Sequence, residues 1–320
     1  MRSQAGVALV SVLLIVAMAT VMAVSMIQEQ HASIQITRGY LSRSQAGQYA
    51  LGGEELARQI LHEDFALGNG VDYIGEAWSD PGLHFEFEDG EVNLHLTDLQ
   101  GLININGIGD KGGAQALSKQ RLMNLLAAQA GDSGVIDRLQ DWIDKDTGSR
   151  PSGAEDFDYL VFDPPYRAGN GPMAHASEVR LLGIADEQYR LVEPALTALP
   201  ASGLRLNVNT APAIVLQSLS PQLTLDVAES IAAIRIDEEG FDSVDAFLQL
   251  PQLAGLGISA DGLGVQSAFF EVRVIARYQD RYSYLTSLVH REITTGEQRV
   301  LLRNFMRDFK PGNSGKQSDG

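Results

Sequence analysis

The hydrophobic pattern changes period along the chain, and each change marks a different element. Residues 7 to 27, VALVSVLLIVAMATVMAVSMI, form 21 positions without a charge. At 1.5 Å per residue such a helix is roughly 31 Å long, about one hydrocarbon core. Beyond it Ile34, Tyr40, Leu41, Tyr49, Leu56, Ile60 and Leu61 recur at spacings of three, four and seven among charges and glutamines. That pattern predicts an amphipathic continuation to about residue 66. Gly39, Gly47, Gly52 and Gly53 each weaken it by up to ~1 kcal/mol relative to alanine, which predicts a kink or a frayed turn. After a loop the period shortens to two. Phe85 and Phe87 alternate on one arm and Val92, Leu94 and Leu96 on the other, with Asp89-Gly90 between them supplying a positive-φ turn. Strand patterns then vanish until residue 268, where AFFEVRVIARYQ, RYSYLTSLVHRE and EQRVLLRNFM predict a three-stranded meander.

A lone hairpin is marginal in water, so the simplest arrangement pairs it with the meander and lays the long helix on the joint sheet. Residues 67–97 and 267–310 then form one α+β unit, 98–266 an insertion, and 311–320 a polar tail. Helical spacing in AQALSKQRLMNLLAAQA (114–130), VIDRLQDWI (135–143) and LDVAESIAAIRI predicts an all-α insertion. GLININ from Gly101 and RLNVNT from Arg205 echo each other, either as two related helical units or by chance.

Composition narrows the function classes. With 24 Lys+Arg against 41 Asp+Glu the net charge is -17, which disfavours nucleic acid as a partner because that affinity rests on neutralising phosphates. The absence of cysteine removes thiolate metal sites, cysteine nucleophiles and a lipoprotein anchor. Arg2 precedes the apolar run and Glu29 is the first charge after it, so the positive-inside rule puts the leader in the cytoplasm and the rest across the membrane. The run exceeds the ~7 to 15 residues of a cleaved signal's apolar region. The leader MRSQAG, ending in Gly6 against the apolar segment, resembles a type IV prepilin leader. That likeness implies cleavage between Gly6 and Val7 by prepilin peptidase. Pilin-like subunits carry glutamate at the fifth processed position, where it neutralises the terminal amine of the subunit above. Ser11 stands there in this chain, which suits a subunit with nothing above it.

The acidic stretch from Asp132 to Asp163 holds nine carboxylates and three basic residues. Asp144, Asp146 and Glu155 match positions 1, 3 and 12 of a calcium loop, although Gly148 falls fifth and Pro151 interrupts. Spacing alone leaves a hard-cation site and a solvated acidic loop equally open. Gly107, Gly109 and Gly112 spell G-x-G-x-x-G, but no parallel strand pattern follows within thirty residues, as a dinucleotide site needs. The segment from Leu206 to Leu250 resembles a helix-hairpin-helix unit whose acidity disfavours phosphate, so Thr210 is read as a helix cap. The six histidines are scattered, those at 84 and 95 reading as solvent-facing, and no nucleophile, base and orienting group converge. A membrane-anchored hydrolase or nucleotide-binding enzyme, or a DNA-uptake protein, remains the competing class.

Across nearly its full length the chain resembles the K family of minor pseudopilins of type II secretion systems. The likeness rests on AGVALVSVLLIVA, YALGGEELA (49–57), GLININ, DWIDKD with GAED, SEVRLL and LNVNTAPAIVL. It implies a pilin-like helix and sheet interrupted by a large α-domain, a non-enzymatic role at the pseudopilus tip, and pseudopilins I and J as partners. It also implies work with the inner-membrane assembly platform of a Gram-negative cell, the head lying in the periplasm. A structural Ca2+ is implied on Asp144, Asp146 and Glu155 first, then Asp156, Asp141 and Glu178, with Tyr159 or a backbone carbonyl completing the shell.

Overall fold

A computed structural model of the protein describes residues 5–306. The first four residues of the leader, and everything after 306 including the 311–320 tail, lie outside that range. Helix α1 (Ala5–Leu67) runs without a break, and its apolar start is exposed and long enough to cross a membrane. The glycines do not interrupt it. Gly53 explains one of them: a Cβ there would meet Val274 Cγ1 at 2.6 Å and Val92 Cγ1 at 2.7 Å. The missing side chain lets the helix backbone lie directly on the sheet, and that packing outweighs weak propensity.

The sheet has five strands, all antiparallel, a hairpin followed by a meander. Its hairpin is β1 (His84–Phe87) and β2 (Gly90–Asp98), and its meander β7 (Phe269–Tyr278), β8 (Arg281–Arg291) and β9 (Gln298–Asn304). Leu94 stands opposite Val274, which in turn stands opposite Leu285. Alternation therefore aligns Val92, Leu94, Leu96, Val272, Val274, Leu285 and Val289 on one face, buried against Ala50, Ala57 and Leu61 of α1 and against Trp78. Each such side chain, fully buried, contributes about 1.5–3 kcal/mol.

The insertion between β2 and β7 has its own core, drawn from Ile105, Leu125, Leu139, Trp142, Val208, Leu216, Ile231 and Phe247. Its helices are α2 (Gly113–Ala128), α3 (Gly134–Ile143), α4 (Asp156–Tyr159), α5 (Asp186–Val192), α6 (Ala213–Gln217), α7 (Leu225–Asp237) and α8 (Val244–Leu248). It is not all-α. β3 (Ile103–Asn104) pairs in parallel with β4 (Leu196–Thr197), and β5 (Leu206–Asn207) with β6 (Leu263–Gly264). Two-residue pairs are too short to leave a periodic signal, and their partners are far along the chain. The two echoing segments, GLININ and RLNVNT, supply β3 and β5.

A buried polar knot fastens the insertion to the sheet. Asp98, the last residue of β2, accepts hydrogen bonds from Thr210 Oγ1 at 2.5 Å, Ser267 Oγ at 2.6 Å, Gln100 N at 2.7 Å and Asn207 Nδ2 at 3.1 Å. Thr210 is therefore not a helix cap: Pro212 occupies the cap position of α6, and the hydroxyl serves the buried carboxylate as donor. Beside it Arg291, at the end of β8, pairs with Asp72 and, at 3.1 Å, with Asp64 of α1.

Candidate metal centre

The centre is built where α3 ends. Asp141, fully buried in its last turn, accepts hydrogen bonds from the Arg150 guanidinium and, at 3.0 Å, from Arg150 N. The same guanidinium donates to Asp144 Oδ2 at 2.7 Å. The chain must double back closely to do this, and Gly153 permits it: a Cβ there would collide with Asp141 Oδ2. Glu155 then starts α4, its backbone carbonyl accepting from Asp158 N while Asp158 Oδ2 accepts from Glu155 N, each at 2.9 Å.

The returning loop brings together one carboxylate oxygen each from Asp144, Asp146 and Glu155, all within 4.8 Å of one another. Asp146 is exposed, Asp144 half-buried and Glu155 buried. Asp144 Oδ1 and Glu155 Oε1 are enclosed without a hydrogen-bond partner, which is costly for carboxylate oxygens unless something cationic meets them. Burial, then the charges of Asp141, Asp144, Asp146 and Asp156, push the Glu155 carboxyl above its ordinary range. These donors fit a hard divalent cation, which takes oxygen ligands and would offset the repulsion.

The other named carboxylates lie outside this group of three. Asp141 is committed to Arg150. Asp156 accepts from Arg167 Nη1 at 3.0 Å and Ala168 N at 3.1 Å, and Glu178 accepts from Ala174 N at 2.7 Å and His175 N at 2.9 Å. Tyr159, edge-on to Trp142 at 5.2 Å between ring centroids, keeps a buried hydroxyl with no partner, and burial pushes its phenol up. Arg150, which sequence reading did not single out, is the residue that orders the loop.

Elsewhere, Gly6, Val7 and Ser11 fall in the first turns of α1, Ser11 on its exposed part. Gly107 and Gly109 serve close packing, since a Cβ at the first would collide with Ser118 Oγ and one at the second would meet Ile143 Cγ2 at 2.8 Å. His84 and His95 lie exposed on the hairpin arms. Asp98 and Arg291 were legible in principle. Asp98 continues the inward register Val92, Leu94, Leu96, and Arg291 continues Leu285, Ser287, Val289. A charge in a buried period-two register signals a partner.

Two sequence-family profiles described as type II secretion system (T2SS), protein K match residues 101–201 and 206–266. Curated proteins named type II secretion system protein K are similar along most of their length. The one from Pseudomonas aeruginosa is 35% identical, covering 95% of this chain and 93% of the relative, and that from Klebsiella pneumoniae 34%, covering 87% and 91%. Among solved structures, a chain of the GspK-GspI-GspJ complex from enterotoxigenic Escherichia coli superposes with a TM-score of 0.72 at 24% identity. The match covers 84% of this chain and 98% of that one, which establishes a shared fold.

Proposed function

The chain belongs to the type II secretion system protein K family, and from that premise we propose that it is the minor pseudopilin at the pseudopilus tip. There it initiates or caps assembly for protein export across the outer membrane, without catalysing a reaction. Residues 7–27 hold the precursor in the inner membrane with the head in the periplasm, and prepilin peptidase cuts between Gly6 and Val7. The freed helix then packs among neighbouring subunits delivered by the assembly platform. Minor pseudopilins I and J are its partners, a reading supported by the complex in which the structural relative was solved.

The observation that carries this reading is the insertion fastened to the sheet through Asp98 and Arg291. A domain of that bulk, held by buried polar contacts, obstructs a further subunit stacking above it. Ser11 fits the same position, since a subunit with no neighbour above has no terminal amine to neutralise. In this reading Asp144, Asp146 and Glu155 hold calcium, which neutralises their charge and staples the loop.

The test is antibody labelling of the insertion on isolated pseudopili. Label at one end only is expected, and label along the shaft would overturn the tip assignment. Ser11→Glu should leave secretion standing; its total loss with normal processing and stability would count against the cap.

A further inference from the structure

A cleft of about 530 Å³ opens between α2 and the segments flanking β5 and β6. Leu102, Leu117, Leu199 and Leu204 line it, together with the cationic side chains of Arg121 and Arg205. Asp110 and Asp261 also line it, but their carboxylates are engaged by Gly203 N and Ser259 Oγ, each at 2.9 Å. Among the described residues no carboxylate forms an ion pair with Arg121 or Arg205.

Arg121 is held rigidly. Its Nη2 donates to the carbonyls of Gly262 at 2.9 Å and Asp261 at 3.3 Å, leaving Nη1 and Nε without a partner among the described residues. Burial pulls its pKa down to about 10. Arg235 makes an instructive contrast. It too donates to backbone carbonyls, of Val208 and Ala211, but it is only 4% exposed and has little access to a ligand. Arg121 instead presents spare donors to open space, in a chain whose net charge is -17. The first turn of α2, at Gly113 and Ala114, adds backbone N–H groups that have no intrahelical acceptor.

Four leucines suit an apolar side chain next to a negative charge that the two arginines can meet. We propose that this cleft binds a peptide carboxylate of a partner protein, Arg121 and Arg205 gripping the carboxylate while the leucines cover the adjoining residue. The carboxylate comes from a chain terminus or from an Asp or Glu side chain; the recognition chemistry is the same, and it does not depend on the secretion reading. A charge-assisted fork of this kind is the strong class of hydrogen bond.

The test uses the full chain in detergent and fluorescence anisotropy of dye-labelled peptides. One probe is Ala-Leu-Leu with a free C-terminal carboxylate, the second its C-terminal amide, and the third Ala-Leu-Asp-Leu-amide with an internal carboxylate. Saturable binding of the first or third, and none of the second, is expected, and whichever binds identifies the source. Arg121→Lys and Arg205→Gln should each weaken that binding by about tenfold with melting unchanged. The proposal falls if no probe saturates, if the amide binds as well as the acid, or if the double variant binds like the parent. It falls equally if inorganic phosphate displaces the peptides at the same concentration, which would make the cleft a general anion site.

Discussion

Arg303 of β9 grips Glu54 of α1 with two hydrogen bonds, Nε to Oε2 at 2.8 Å and Nη2 to Oε1 at 2.7 Å, across 249 residues of sequence. Ser287 Oγ donates to the same carboxylate from β8. Burial pushes the Glu54 carboxyl up, but the bonds from Arg303 and Ser287 and the Arg303 charge outweigh it, so the net shift is downward. The pair ties the last strand to the helix that precedes the whole head. Glu54→Gln keeps the shape but removes the charge, and should cost about 1.5–3 kcal/mol. A double-mutant cycle with Arg303→Ala, read by thermal unfolding in detergent, should return positive coupling; additive losses would mean the pair is independent.

Neighbouring glycines in α1 should respond in opposite directions. A Cβ at Gly52 would meet nothing within 4 Å, so Gly52→Ala should gain up to about 1 kcal/mol from helix propensity. A Cβ at Gly53 would meet Val274 and Val92 below 3 Å, so Gly53→Ala should lose about 1–3 kcal/mol by forcing helix and sheet apart. Equal gains in melting temperature for both would show that the helix does not rest on the sheet at Gly53.

Calcium should raise the melting temperature of the full chain in detergent by a few degrees, since saturating ligand at ~100 times Kd adds about 2.7 kcal/mol. In the Asp144→Ala/Asp146→Ala variant the rise should vanish, while the calcium-free melt stays at or above the parent's because carboxylate repulsion is relieved. Identical melts with calcium, with chelator and in the variant would make the loop a solvated surface.

The joint beneath the insertion should respond to pH. Burial first pushes Asp98 from 3.8 up to about 6, against bonds from Ser267, Thr210 and Gln100. Burial likewise pushes Glu76 from 4.5 up to about 7, with Asp64 and Asp72 adding to it and bonds from Tyr73 N and Trp78 opposing it. Both groups keep protons in the folded chain at pH values where the unfolded chain has lost them. Their contribution to stability is therefore complete below the unfolded values and is lost as pH rises through about 6 and 7. In chelator the chain should melt higher near pH 5.5 than near pH 8. Glu76→Gln should shrink that difference, and an unchanged slope in the variant would exclude Glu76 as a source.

Elements whose signals are local and repeated could be read from the amino-acid pattern alone. The uncharged 21-residue run, the alternation around Asp89-Gly90 and the three late strands each contain enough turns or pleats for periodicity to speak, and they fixed the α+β class with its insertion. The convergence of Asp144, Asp146 and Glu155 was likewise legible, because a loop of twelve residues brings its own carboxylates near one another. Relations that depend on a distant chain segment became visible only in the folded chain. Gly53 reads as a weak helix position until Val92 and Val274 are laid against it, and Thr210 reads as a cap until Asp98 arrives from 112 residues away. The two-residue parallel pairs, and the placement of Arg121 beside the 261–262 carbonyls, belong to the same class. Local propensity is a matter of tenths of a kcal/mol per residue, whereas burying a charge or closing a backbone contact is worth several times that, so packing settles these positions.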